Sequence, residues 1–230
     1  HTEMFTETMV DLIECGAVDN TQKGFMNGYS VCSFTLGSQR LYDYINNNPC
    51  VLFKSATFSN APYTIAKNNK FVSVNATLEI DLTGQCASET VGNLQWSGTG
   101  GQSETVQGAQ MSPDGKSIIA MHSTYSTTDE NGKPVLHSKI VPFLAQGAAV
   151  TTSRNDTDYV VTEYGIAWLR GADYEGICHT LENAVAMISG CICDGAKASC
   201  ASKIAMGVDC GILGYDMYRN GDNFRSGDGI

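Results

Sequence analysis

The chain has 230 residues, 42% of them apolar and 17% charged, enough to bury a sizeable core as one large domain or two smaller ones. Its formal net charge of −10 argues against non-specific binding to nucleic acid or to an anionic membrane, because the long-range field repels both. No apolar run reaches the roughly 18 residues of a membrane span, and the first residues lack the basic and apolar parts of a signal peptide, so a cytoplasmic protein is expected.

The first residues, HTEMF, place Glu3 just ahead of a helical pattern in which Met9, Val10, Leu12, Ile13 and Cys15 recur until Gly16 stops it. A carboxylate there serves either a helix end or a reaction. YSVCSFTLG (29–37) reads as a strand, followed by a short amphipathic helix with Leu41, Tyr44 and Ile45, and then by a second strand, CVLFKS (50–55). In SNAPYTIAKNN, Asn60 is the expected helix N-cap and Pro62 is tolerated in the first turn. FVSVNATLEIDLTG (71–84) alternates strictly, with Val72, Val74, Ala76, Leu78, Ile80 and Leu82 on one face of a single expected strand. A glycine-dense loop, QWSGTGGQSE (95–104), comes next. KSIIAMHST, SKIVPFL, AAVTTS and DYVVTEYG follow as further strands, with 123–139 read as a loop. The expected fold is α/β, an open mixed sheet with flanking helices. From about 171 the pattern changes to a small helical tail, with helices near 174–190 and 195–218, which divides the chain into domains 1–171 and 172–230.

The nine cysteines are uneven, five of them lying between Cys178 and Cys210. An odd count without a secretory signal favours reduced thiols, and a cluster of that kind points to metal or redox chemistry before disulfides. SGTGGQ (97–102) lets backbone approach a ligand closely and could present amides to phosphates or to an oxyanion. It has neither the P-loop ending nor the dinucleotide spacing. Glu3, Glu79 and Glu163 are carboxylates at element ends or on polar strand faces, each by default a surface or capping residue. His122 and His137 read as ordinary loop or strand residues.

HTEMF, LGSQRLYDYINNNP, SNAP, NATLEIDLTGQ, SGTGGQ, KIVPF and AAVTTSRNDTDYVVTEYGIAWLRG, in this order, resemble the acetyl-CoA hydrolase/transferase family, butyryl-CoA:acetate and 4-hydroxybutyrate CoA-transferases in particular, over residues 1–171. The resemblance implies that Glu3 is the nucleophile, attacking a short-chain acyl-CoA and passing through a glutamyl-CoA thioester to a carboxylic acid such as acetate. It implies catalytic roles for Asn60 and Glu163 and CoA contacts at Leu78, Gly100, Gly101 and Gln102, with Gly101 beside the oxyanion. Asn60 keeps its N-cap reading alongside, and Glu79 is read as structural. Coenzyme A is the implied co-substrate. The expected partners are acyl-CoA and short-chain carboxylic acids, in a homo-oligomer with no nucleic acid and no membrane. The family's G-I-G-x-I-P-type loop has no counterpart in these residues, so the chain is read as the C-terminal half of a family member, and a truncated CoA-binding domain without turnover is an alternative.

TLENAVAMISGCICDGAKASCASKIAMGVDCGILGY resembles a second family, the C-terminal region of iron–sulfur L-cysteine desulfidase and L-serine dehydratase-like proteins. That resemblance implies Cys193 and Cys200 as ligands of a [4Fe–4S] cluster. No cysteine lies between Cys86 and Cys178 to supply the family's upstream ligand, so reduced thiols are the expectation and an iron–sulfur lyase fragment is the alternative function.

Overall fold

The computed structural model describes residues 1–172; the helices expected at 174–190 and 195–218, with Cys193 and Cys200, lie outside the described residues. The described backbone divides into two units, His1–Val74 with Gly100–Ser117, and 75–99 with 118–172. The first combines short helices with parallel strand pairs and the second holds parallel and antiparallel strand pairs joined by turns, giving together the α/β class that the alternating patterns lead one to expect.

In the first unit, strand Met4–Phe5 pairs in parallel with Phe34–Thr35, and Ser30–Cys32 pairs in parallel with Val51–Phe53. Helix α1 (Glu7–Glu14) and helix α2 (Gln39–Ile45) close over them, burying Phe5, Val10, Cys32, Leu41 and Val51 as one cluster. Full burial of Phe5, Val10 and Leu41 contributes roughly 1.5–3 kcal/mol each. The Phe5 ring also stacks on Tyr44, their centroids 6.3 Å apart. Arg40 of α2 reaches Asp11 at 2.7 Å and Glu14 at 2.6 Å on α1, an exposed network that adds little beside the buried contacts. The expected strand 29–37 is interrupted at Ser33, whose amide donates to the Glu3 carbonyl instead of continuing one ladder.

Three further helices complete this unit: α3 (Ala56–Ser59), α4 (Pro62–Ile65) and α5 (Gln102–Met111). Asn60 is not an N-cap. It is the C-cap of α3, the N-cap of α4 is Ala61, and the Asn60 side chain is drawn to a carboxylate instead of to helix amides. Pro62 occupies the first turn of α4, where its missing N–H costs nothing. Helix α5 packs on α4 and buries Val106 and Ala109, too few apolar positions to mark a helix in the sequence.

In the second unit, Glu79–Asp81 lies between Ile140–Val141, parallel, and Cys86–Ala87, antiparallel. Residues Ile118–Ala120 pair in parallel with Tyr159–Val161, and Tyr159–Thr162 turns back on Gly165–Trp168. Ile80, Cys86, Ile119, Met121, Ile140, Val160, Ala167 and Leu169 form the core. Four expectations change here. The strand 71–84 breaks into Val72–Asn75 and Glu79–Asp81, because buried Thr77 turns its hydroxyl to the carbonyls of Glu79 and Ala87, both at 2.9 Å. Val72 and Val74 stay exposed while Ser73 is buried, the reverse of the apolar-face reading. AAVTTS forms only a bridge from Thr152 to Cys86, and 123–139 is an antiparallel hairpin, Thr124–Thr128 with Pro134–Ser138, in place of a loop. Among the described residues no helix is long and apolar enough to cross a membrane.

Candidate active site

Glu3 is held by its backbone before its side chain does anything. Its carbonyl accepts from the amides of Ser33 at 2.8 Å and Phe34 at 3.2 Å, and on either side of it Thr2 donates to Val31 and Phe5 is buried in the core. The carboxylate is thereby aimed at the α3–α4 corner and the start of α5. Its Oε1 accepts from Asn60 Nδ2 at 3.1 Å and its Oε2 from the Gly101 amide at 3.0 Å. Each oxygen takes one neutral N–H, so each keeps an in-plane lone-pair direction for an electrophile.

Gly101 is the N-cap of α5, where the helix dipole favours negative charge. Its neighbour Gly100 has φ +62°, a left-handed conformation that glycine adopts without strain. A Cβ on Gly101 would stand 2.9 Å from Asn60 Cγ and 3.2 Å from Glu3 Oε2, so the residue must be glycine for the amide to reach the carboxylate. Gln102 opens α5 directly behind this amide. Three stretches separated widely in the sequence, at Glu3, Asn60 and Gly100–Gly101, thus meet within the first unit.

Sequence reasoning missed three neighbours of this group. Ser59, 1% exposed, is in a short hydrogen bond with Ser33 Oγ and lies 3.2 Å from Asn60 Oδ1, while His1 Nε2 lies 2.7 Å from the Ser59 carbonyl. A carbonyl can only accept, so that histidine nitrogen carries a proton. Ser59 opens the SNAP stretch and His1 the HTEMF stretch, yet neither motif assigns them a role, and Ser33 carries no periodic signal. The buried thiols are not competing nucleophiles: burial pushes Cys32 up to about 11 and Cys86 up to about 12.

Leu78 and Glu163 belong to the second unit. Leu78 precedes strand Glu79–Asp81, its amide donating to the Ala87 carbonyl at 3.1 Å. Glu163 sits in the turn between Tyr159–Thr162 and Gly165–Trp168. Its Oε1 accepts from Ser123 Oγ at 2.6 Å and its Oε2 from the Ser123 amide at 2.9 Å, with His122 Nδ1 3.9 Å away. Partial burial raises this carboxyl, but the Ser123 hydroxyl and the amide bonds outweigh it and hold it below the ordinary value. A depressed carboxyl stabilises the fold above its unfolded pKa, about 4.3. That stability is lost as pH falls through the lower folded value. Ser123→Ala is expected to move the Glu163 titration upward, toward the ordinary value, as read by carboxyl carbon NMR. Among the described residues no three His, Cys, Asp or Glu side chains are grouped to hold a metal.

A family model for the acetyl-CoA hydrolase/transferase C-terminal domain matches residues 37–189. The chain belongs to the acetyl-CoA hydrolase/transferase family. It is 50% identical over 171 residues to a succinyl-CoA:cyclohexane-1-carboxylate CoA transferase of Geobacter metallireducens, covering 74% of this chain and 38% of that protein. A 4-hydroxybutyrate coenzyme A transferase of Clostridium kluyveri is 43% identical over 183 residues, covering 80% of this chain and 41% of that one. Among solved structures, RipA from Yersinia pestis superposes with a TM-score of 0.69 at 40% identity, over 79% of this chain and 39% of that one. The chain spans about two fifths of the length of the curated CoA transferases it matches. A second model, serine dehydratase alpha chain, matches residues 162–230 and overlaps the first between 162 and 189.

Proposed function

We propose that this acetyl-CoA hydrolase/transferase family chain carries the nucleophile-bearing part of an acyl-CoA:carboxylate CoA-transferase, with Glu3 as nucleophile. The observation that carries the reading is the Glu3 carboxylate with one amide donor on each oxygen, from Asn60 and Gly101. A Glu3 oxygen attacks the thioester carbonyl, the C–S bond breaks, and the CoA thiolate leaves behind a mixed anhydride. The thiolate then attacks the Glu3 carboxyl carbon, and the donor acid departs as carboxylate with the attacking oxygen. The glutamyl-CoA thioester so formed meets the acceptor carboxylate, and the two steps run in reverse. No proton, metal or nucleotide is consumed.

The amides have a second task in this scheme. When thiolate or acceptor attacks the Glu3 carboxyl carbon, negative charge gathers on its remaining oxygen. N–H groups already aimed at that position stabilise it without reorganising, and loss of one such donor costs about 10²–10³-fold in rate. The CoA-transferase names of the relatives support short-chain acyl-CoA, such as butyryl-, 4-hydroxybutyryl- or acetyl-CoA, as donor and an acid such as acetate as acceptor. The serine dehydratase match supports a separate C-terminal piece from about residue 172.

The experiment is acyl exchange: butyryl-CoA and isotope-labelled acetate with the 230-residue chain, followed by mass analysis of the CoA esters. Labelled acetyl-CoA is the expected product. Folded chain that neither exchanges label nor acquires CoA on Glu3 would remove the transferase reading and leave a CoA-binding or ancestral role.

A further inference from the structure

Asn60 serves Glu3 only through its amide nitrogen, because its amide oxygen would meet a carboxylate as one acceptor meets another. An unrestrained carboxamide turns over and presents either atom. What fixes it is therefore part of the site. Ser59 Oγ lies 3.2 Å from Asn60 Oδ1 and 3.3 Å from the Ser55 carbonyl, and it shares the short hydrogen bond with Ser33 Oγ. Both Asn60 Oδ1 and the Ser55 carbonyl only accept, so the single Ser59 proton is directed at them. Ser33 is then the donor in the Ser33–Ser59 bond. The hydrogens run in one direction, from Ser33 to Ser59 to Asn60 to Glu3.

We infer that Ser33 and Ser59 are positioning residues that lock the Asn60 carboxamide with its N–H toward Glu3. The relay closes on itself. Ser33 also donates its backbone amide to the Glu3 carbonyl at 2.8 Å, so one residue controls the backbone of Glu3 directly and its carboxylate through two side chains. His1 pins the peptide of Ser59 from the other side, through its Nε2 at 2.7 Å. With Ser59 1% exposed, no water replaces its hydroxyl, and a lost bond leaves Asn60 Oδ1 without its donor. A glutamate used first as nucleophile and then as electrophile needs the same N–H in the same place at both stages, which a freely turning amide would not supply.

The catalytic consequence rests on Glu3 being the nucleophile, so the test reads the relay with and without turnover. On the 230-residue chain, the Asn60 side-chain amide signals are recorded by ¹H–¹⁵N NMR without substrate. The rate of CoA capture from butyryl-CoA is measured separately. Ser59→Ala is expected to shift or average the Asn60 pair and to slow capture about 10- to 100-fold with half-saturation by butyryl-CoA unchanged. Ser33→Ala moves both in the same direction by less, and it carries the test should Ser59→Ala not fold. Ser59→Thr, which keeps the hydroxyl, restores both. Asn60 signals that stay put in folded alanine variants overturn the relay. A wild-type chain that captures no CoA removes the proposed function instead, and the amide signals still decide the relay.

Discussion

Incubated with butyryl-CoA, the chain is expected to gain the mass of CoA on the peptide that contains Glu3, and Glu3→Gln is expected to gain none. Glutamine has nearly the shape of glutamate and keeps the side chain in the corner formed by α3, α4 and α5, so the comparison isolates chemistry from packing. Its amide is a far poorer nucleophile than a carboxylate, and its oxygen still accepts from one of the two donors, Asn60 Nδ2 or the Gly101 amide, while its NH₂ takes the place of the other native oxygen. Loss of a covalent nucleophile costs at least about 10³-fold. Glu3→Asp separates the two requirements: it keeps the charge but withdraws the carboxylate by one methylene from both amides. A displacement of that order is expected to cost about 10²-fold. Adduct formation by Glu3→Gln at the wild-type rate would mean that Glu3 is not the reacting group.

The local half of this arrangement is legible in the sequence, and the spatial half is not. Met9, Val10, Leu41, Ile45 and the short apolar runs around Val31 and Val51 carry helix and strand periods, so the elements that bury Phe5 can be read directly. The alternating run 71–84 misleads, because alternation records only which residues could face one way. Thr77 breaks the ladder with a side-chain bond that no period encodes. Helix α5 escapes notice because its core contact is narrow, and the hairpin 124–138 because its strands are mostly polar and exposed. Of the site, Glu3, Asn60 and Gly101 are reached through motif resemblance, since no spacing links positions so far apart. Asn60 shows the limit most clearly: the same asparagine fits a helix cap by local rules, and only the fold shows its amide turned to Glu3. The meeting of Ser33, Ser59 and His1 depends wholly on tertiary structure.

Gly101→Ala is expected to reduce CoA capture by about 10²–10³-fold while leaving most of the fold's stability in place. The backbone does not demand glycine here, since Gly101 has φ −103°, outside the left-handed region that favours glycine. Space demands it. The new Cβ would stand 2.9 Å from Asn60 Cγ and closer still to Asn60 Nδ2, so the asparagine must swing away or the α5 N-terminus must retreat. Either movement takes a donor off the Glu3 carboxylate. The overpacking itself costs typically 1–3 kcal/mol of stability. Gly100→Ala is the informative contrast, because its faults are reversed. Its φ of +62° strains alanine by roughly 1–2 kcal/mol, yet its Cβ would meet Glu3 Oε2 at 3.6 Å, an ordinary contact. Urea unfolding and CoA capture, measured on the pair, should therefore separate: similar stability losses, but a rate loss concentrated in Gly101→Ala. Parallel losses of rate and stability in both variants would show that the glycines act only through the fold of the loop. The amide of Gly101 would then have no special part in holding Glu3.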